Sequence, residues 1–349
     1  MGHGCRGIQL RYTSNTGAAT WKGILLITDW RKNYENSNDR LRCSRECVCL
    51  LSASWGADMT LVDLYKEHMD KVASDGMDFT IDPDQHFHLD GFKTSCSAAE
   101  IGIMDAVIFL TKATQLENAI RDAAPCIGPD TVLISLINGL GNDDKLLKYC
   151  PATRCMIGSG SIGTVLNAPG KCTSYPNFGV VMNFGPIEYS KRTEQVGKAL
   201  EKYFQDGGCN AVYRDDILPL LWWKIIKSSS HSPVSAILRL SIGDTDADPC
   251  GRELYDRVIR EGVAVAKAKG INIMDADEFI AHDKEQCREN PAYVNSMTQD
   301  VCWKKLPTEI DMLTGALSEQ GRIYGVPTPT CDLLTLIISA IQNNYDKQI

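Results

Sequence analysis

The chain has 349 residues, long enough for two domains, and its 44% hydrophobic and 23% charged content is that of an ordinary soluble globular protein. A formal net charge of −8 argues against a broad nucleic-acid surface, and no apolar run approaches the roughly 20 residues of a membrane span. The 14 cysteines are scattered without a paired framework, which fits reduced thiols in the cytoplasm.

Residues 1–55 form an atypical segment. Asn, Ser, Arg, Trp and Cys follow no clear period, "DWRKNYENSNDRLR" is strongly polar, and "GILLIT" is too short for a secretory signal. Cys43, Cys47 and Cys49 lack a second ligand pair, so no metal is expected there.

From Gly56 the pattern becomes regular. "MTLVD" reads as a strand, and "YKEHMDKVASDG" as a helix ending at Gly76. "HFHL" alternates like a strand, with His86 and His88 expected at the surface. "DAVIFLTK" is a continuous apolar run of the kind found in buried parallel strands, and "TQLENAIRDAAPCIG" a helix. "TVLISLINGLG" is a second buried strand running into a glycine turn. More strands follow in "RCMIGSGSIG" and "NFGVVMNFG", then an amphipathic helix in "RTEQVGKALEKYFQDGG". This alternation predicts an α/β fold, a Rossmann-like doubly wound parallel sheet, over residues 56–211. From 212 to 349, four stretches with helical spacing predict an all-α second domain.

In such sheets ligands lie at the carboxyl ends of the strands. Asp63 closes "MTLV" where these folds place a ribose-binding acid, and the nearby Lys66 could accept a 2′-phosphate. Lys112 and Gln115 in "LTKATQ" and Asn138 in "LINGLGN" also follow buried strands; the plainer readings are a solvated lysine and a simple turn. In "WWKIIKSSSHSP", Lys224 and Lys227 stand three apart on an otherwise apolar helix. A partly buried lysine has a lowered pKa and can donate a proton near neutrality; the alternative is that both reach solvent. Glu309 is either a partner for such a lysine or a capping-box acid after Thr308. His231 reads as structural more readily than as an acid.

Five stretches, "TKATQLENAI", "INGLGNDDKL", "WWKII", "SMTQD" and "TEIDMLTGAL…YGVPTP", stand in the order and spacing of one family. From about Gly56 to the C-terminus the chain resembles the ketopantoate reductases (2-dehydropantoate 2-reductases). The resemblance implies NADPH-dependent reduction of a 2-oxo acid, ketopantoate to pantoate, in cytoplasmic pantothenate biosynthesis, with NAD the less favoured dinucleotide. It implies Lys224 as proton donor, Glu309 as the residue fixing it, and Ser296 as a substrate ligand. Asn138, Lys112 and Gln115 would line the cofactor cleft, with Asn138 also reaching substrate. Ser228 and Ser232 stand where the family usually has two asparagines. A hydroxyl offers less reach and fewer donors than an amide, so another 2-oxo acid or a 3-hydroxy acid is an open alternative. The expected partner is a small molecule, not nucleic acid or membrane, and a homodimer is left open.

One part of a dinucleotide-binding domain is missing. About twenty residues before the ribose acid a Gly-x-Gly-x-x-Gly loop is expected, and "RLRCSREC" stands there instead. Read one base later, with suitable codons, Tyr34 to Glu46 yields a strand followed by glycines at Arg40, Arg42 and Arg45. Arg40 stands 23 positions before Asp63, as the loop should. Residues 1–55 are therefore expected to be a frame-shifted start, poorly packed, leaving a gap or an irregular substitute between the strands of Leu61 and Ile108. The alternatives are a divergent N-terminus and a non-catalytic family member without a working cofactor loop.

Overall fold

The computed structural model describes residues 24–27, 59–81, 85–160, 162–176, 182–206 and 210–347. Ile24–Ile27 form β1, Met59–Val62 β2, Met77–Ile81 β3, Gln85–Leu89 β4 and Lys93–Ser95 β5. Ala106–Phe109 form β6, Val132–Ser135 β7, Cys155–Gly160 β8 and Ile162–Ala168 β9. Lys171–Pro176 form β10, Met182–Pro186 β11 and Ala211–Tyr213 β12. Eight of these make one sheet in the order β12-β11-β8-β7-β6-β1-β2-β5. The six from β5 to β8 run parallel; β11 turns antiparallel against β8 and carries β12 beside it.

Both faces of the sheet are covered, which explains the unbroken apolar runs. Leu61, Ile108 and Ile134 point to one side, against Met69 and Val72 of α1 (Lys66–Asp75). Val107, Phe109 and Leu133 point to the other, against Leu116 and Ile120 of α2 (Leu116–Asp122) and Leu146 of α3 (Asn142–Leu147). Successive strand residues alternate faces, so a strand covered on both sides must be apolar throughout. Beyond them, α4 (Lys191–Asp206) buries Val196, Leu200 and Phe204 on the first face.

The expected gap in the sheet is a correction. Leu26 of β1 pairs in register with Leu61 on one side and with Ile108 on the other. The neighbouring strands are themselves four residues long, so the short apolar run "ILLI" suffices to bridge them. The first strand is therefore Ile24–Ile27, ahead of the stretch that the shifted codons would supply. Arg40, Arg42, Arg45, Cys43, Cys47 and Cys49 lie outside the described residues.

Part of the chain leaves the main sheet. After β8 it crosses into a second, four-stranded sheet, β4-β3-β10-β9, in which β3 and β10 run parallel. "RCMIGSGSIG" is thus divided between two sheets, and "HFHL" is the second sheet's edge. At the other end, β12 reaches Tyr213, across the expected boundary at 211.

The remainder is helical. It opens with α5 (Leu218–Leu238), followed by α6 (Ile242–Ala247) and α7 (Pro249–Ala268). A further helix, α8 (Ala276–Glu289), was not anticipated from the sequence; its polar surface masks the buried Phe279, Ile280 and Cys287. Then come α9 (Ser296–Gln299), α10 (Thr314–Tyr324) and α11 (Pro329–Gln342). The middle of α5 is buried from Ser229 to Ala236, so this helix is the core around which the others pack.

Candidate active site

The ends of β7 and β8 face α5 across a cleft of about 160 Å³. Leu221, Lys224, Ile225, Ser228 and Ser232 all line it. Their spacing of three or four places them on one stripe of the helix. The half-buried Lys224 crosses the cleft, its Nζ 3.2 Å from Ser159 Oγ and 3.4 Å from the Gly160 carbonyl, at the carboxyl end of β8. Lys227 lies on another face of the same helix. It donates to Gln286 and sits 5.1 Å above the Trp223 ring, outside the cleft lining. Below the serines, Pro233 has no N–H to give the carbonyl of Ser229, one helical turn earlier.

Three other segments complete the walls. Ser296, exposed at the start of α9, is presented by Asn295. That side chain accepts from the Thr298 N–H at 2.9 Å and donates to the His231 carbonyl at 3.5 Å, tying α9 to α5. Glu309 lies exposed at the rim, ahead of the short turn Ile310–Met312. Thr308 before it bonds Gln342 through both its N–H and its hydroxyl at 2.8 Å, and the same hydroxyl accepts the Ile310 N–H at 3.4 Å. Asn138 hangs from the turn after β7. Asn142 holds that turn by donating to the carbonyls of Ile137 (3.0 Å) and Gly139 (3.3 Å). Gly139 has φ +107, and a side chain there would run into Met312 of the turn Ile310–Met312. The Oδ1 of Asn138 is buried with no hydrogen-bond partner among the described residues.

A second cleft, about 310 Å³, opens at the ends of β2 and β6, lined by Asp63, Ser97, Thr111, Gln115 and Asn118 among others. Asp63 is buried, and its Oδ1 accepts the Tyr65 N–H at 2.7 Å, which fixes the carboxylate at the strand end. Lys66 does not join it. Met69 and Val72 take the inner face of α1, leaving Lys66 on the solvent side, bonded to Asp70 at 2.7 Å. Lys112 follows β6, half-buried, outside the lining of both clefts.

His231 is buried in a polar knot. Its Nε2 lies 2.8 Å from Asp283, which also meets Arg252 at 3.0 Å, and Arg252 pairs in turn with Asp246 and Asp256. Burial would raise the Asp283 carboxyl, but His231 and Arg252 outweigh it and hold it below the usual carboxylate range. Cys287, 3.7 Å from the imidazole, has its thiol pushed up to about 12, chiefly by burial. This knot ties α5, α7 and α8 together. His86 and His88 lie exposed on β4, against Thr80 and Asp78.

Ser159, Asp143 and Trp222 also line the main cleft and were missed from the sequence. Ser159 had a signal, a small polar residue ending an apolar strand. The others had none, because their neighbours come from distant parts of the chain.

The two clefts lie at carboxyl ends of a doubly wound sheet, one with a fixed carboxylate and one with an unsatisfied buried amide oxygen. These groups fit a dinucleotide with ribose hydroxyls at one end and a carboxamide at the other. The sequence pattern described as "Ketopantoate reductase PanE/ApbA" matches residues 47–187, and its C-terminal counterpart matches 216–342. The chain belongs to the ketopantoate reductase family. It is 30% identical over 241 residues to the 2-dehydropantoate 2-reductase of Aquifex aeolicus, covering 68% of this chain and 76% of that one. To the 2-dehydropantoate 2-reductase of Streptococcus pyogenes it is 26% identical over 284 residues, 81% of this chain and 90% of that one. A D-mandelate dehydrogenase solved with NADH and anilino(oxo)acetate shares the fold, with a TM-score of 0.67, 23% identity, and coverage of 93% of this chain and 100% of that one. Among the described residues no helix is long and apolar enough to cross a membrane.

Proposed function

We propose that this protein reduces a 2-oxo acid to the 2-hydroxy acid, with ketopantoate the first candidate and NADPH the first candidate reductant. The observation that carries the reading is the convergence of Lys224, Ser228, Ser232, Ser296, Glu309 and Asn138 on one small cleft at the strand ends. When bound, the dinucleotide supplies the hydride. Negative charge then builds on the keto oxygen, and the Lys224 ammonium both stabilises it and gives up a proton from Nζ. Glu309 stands at the rim to hold that ammonium and the substrate. The three serine hydroxyls offer donors to the carboxylate, and Leu218, Leu221 and Leu313 exclude water from the carbon chain. Asn138 offers its buried oxygen to the carboxamide, while Asp63 and Gln115 line the cleft for the adenosine end.

A second reading rests on Ser228 and Ser232. Both hydroxyls lie in the cleft, and neither matches the reach of an asparagine, so a 2-oxo acid other than ketopantoate is the alternative substrate. The D-mandelate dehydrogenase, with its bound anilino(oxo)acetate, illustrates the kind of ligand. Placement of Lys66 away from Asp63 supports NADH as the alternative donor. Steady-state oxidation of NADPH and NADH over a panel of 2-oxo acids separates these outcomes. Turnover best with ketopantoate upholds the first reading and another acid the second. Absence of both turnover and dinucleotide binding would mark a non-catalytic member of the family.

A further inference from the structure

The two walls of the main cleft come from different parts of the chain, and a second cation besides Lys224 joins them. Lys269 directly follows α7 in the helical part, and its side chain is only 8% exposed. Its Nζ lies 2.8 Å from Asp143 and 2.8 Å from both carboxylate oxygens of Asp144, and 3.2 Å from Gln320. Gln320, on α10, donates a further bond to Asp144 at 3.0 Å. Asp143 and Asp144 are the second and third residues of α3, in the sheet domain, immediately after the turn that carries Asn138. Asp143 itself lines the cleft. A lysine at a helix C-terminus is already favoured by the helix dipole. Here it also has two carboxylates brought against it from the opposite wall.

We infer that Lys269 is a positioning residue, an ionic clamp that locks the Asn138 turn and α3 of the sheet domain onto the helical domain and so fixes the width of the cleft that Lys224 spans. The inference rests on the proposed reductase reading for its kinetic consequence, but not for its structural one. Removing the ammonium leaves the buried Asp143 carboxylate beside the partly exposed Asp144 carboxylate, a repulsion that separating the walls relieves. Burial pulls the Lys269 ammonium down, yet Asp143 and Asp144 outweigh it and hold it above the ordinary lysine range, so the clamp stays charged near neutrality. Lys269 lines neither of the two clefts. Its loss therefore lowers the fraction of molecules in the binding-competent state rather than the rate within it.

The test compares Lys269→Met, Lys269→Arg and Asp144→Asn in the full-length protein, by steady-state kinetics and by amide hydrogen exchange. Lys269→Met is expected to raise KM for the 2-oxo acid about tenfold or more with kcat changed less than about threefold. Exchange should rise across residues 138–147 and stay unchanged in β11 and β12. Lys269→Arg should restore most of the KM, and Asp144→Asn should give a smaller rise of the same kind. If Lys269→Met fails to fold, Asp144→Asn carries the test alone. A fall in melting temperature with KM and exchange at 138–147 unaltered overturns the clamp and leaves Lys269 merely structural. So does a loss confined to kcat. If the parent protein turns over no 2-oxo acid, the reductase reading fails, while the exchange measurement still decides the clamp.

Discussion

Lys224 Nζ and Ser159 Oγ meet at 3.2 Å across the main cleft, the one from the helix that cores the second domain and the other from the end of β8. This contact puts an ammonium where a ligand on the sheet's carboxyl edge would lie. Lys224→Ala should lower kcat by about 10²–10⁴, the range for a lost acid catalyst. Lys227, held by Gln286 outside the cleft, gives the control. Lys227→Ala should leave kcat near the parent value in the same NAD(P)H oxidation assay, and the reverse result would mean that the wrong lysine has been assigned.

The serines offer a specificity test. Ser228 is half-buried and Ser232 buried, and both line the cleft. Ser228→Asn with Ser232→Asn restores the amides usual in the family. The ratio of kcat/KM for ketopantoate to that for a purely apolar 2-oxo acid should rise by about tenfold or more, since each polar contact is worth about 1 kcal/mol. An unchanged ratio would show that these positions do not select substrate.

Dinucleotide choice can be read by binding alone. Lys66 is three-quarters exposed and paired with Asp70, so Lys66→Ala should alter the Kd of NADPH by less than about twofold. Asp63→Asn should weaken NADH on the order of tenfold, as loss of a charged hydrogen-bond acceptor does. Fluorescence titration of the reduced dinucleotides measures both. A large loss of NADPH binding in Lys66→Ala would restore it as a phosphate ligand.

His68 links α1 to the turn between β9 and β10, its Nδ1 accepting the Gly170 N–H at 3.0 Å. Burial lowers its pKa to about 4. Between that value and the ordinary one near 6.5, the unfolded chain binds the proton that the folded chain refuses. Stability therefore falls as pH drops through this window, by about 3 kcal/mol at most from this one group. Urea unfolding at pH 7 and pH 4.5 should show a smaller pH-dependent loss in His68→Gln than in the parent. Equal losses would remove His68 from the pH response.

The apolar runs from Met59 to Ser135 were legible as buried strands because a strand covered on both faces has no polar alternation to disguise it. Asn138 was legible because it follows a buried strand, whereas spacing left Lys224 and Lys227 both open, and Lys224, Ser228, Ser232 and Ser296 were singled out by the resemblance to the family. What lay beyond the sequence was contact between remote segments. "ILLI" at 24–27 is too short to announce itself, and only the vacancy between Leu61 and Ile108 gives it a place. Lys66 and Asp63 are three apart, yet helix α1 turns one to solvent while the strand end buries the other. Lys269 is separated from Asp143 by more than a hundred residues, and no periodicity connects them. The pairing exists because the helical part of the chain packs against the sheet, and charges are brought together there by packing that no single stretch of chain encodes.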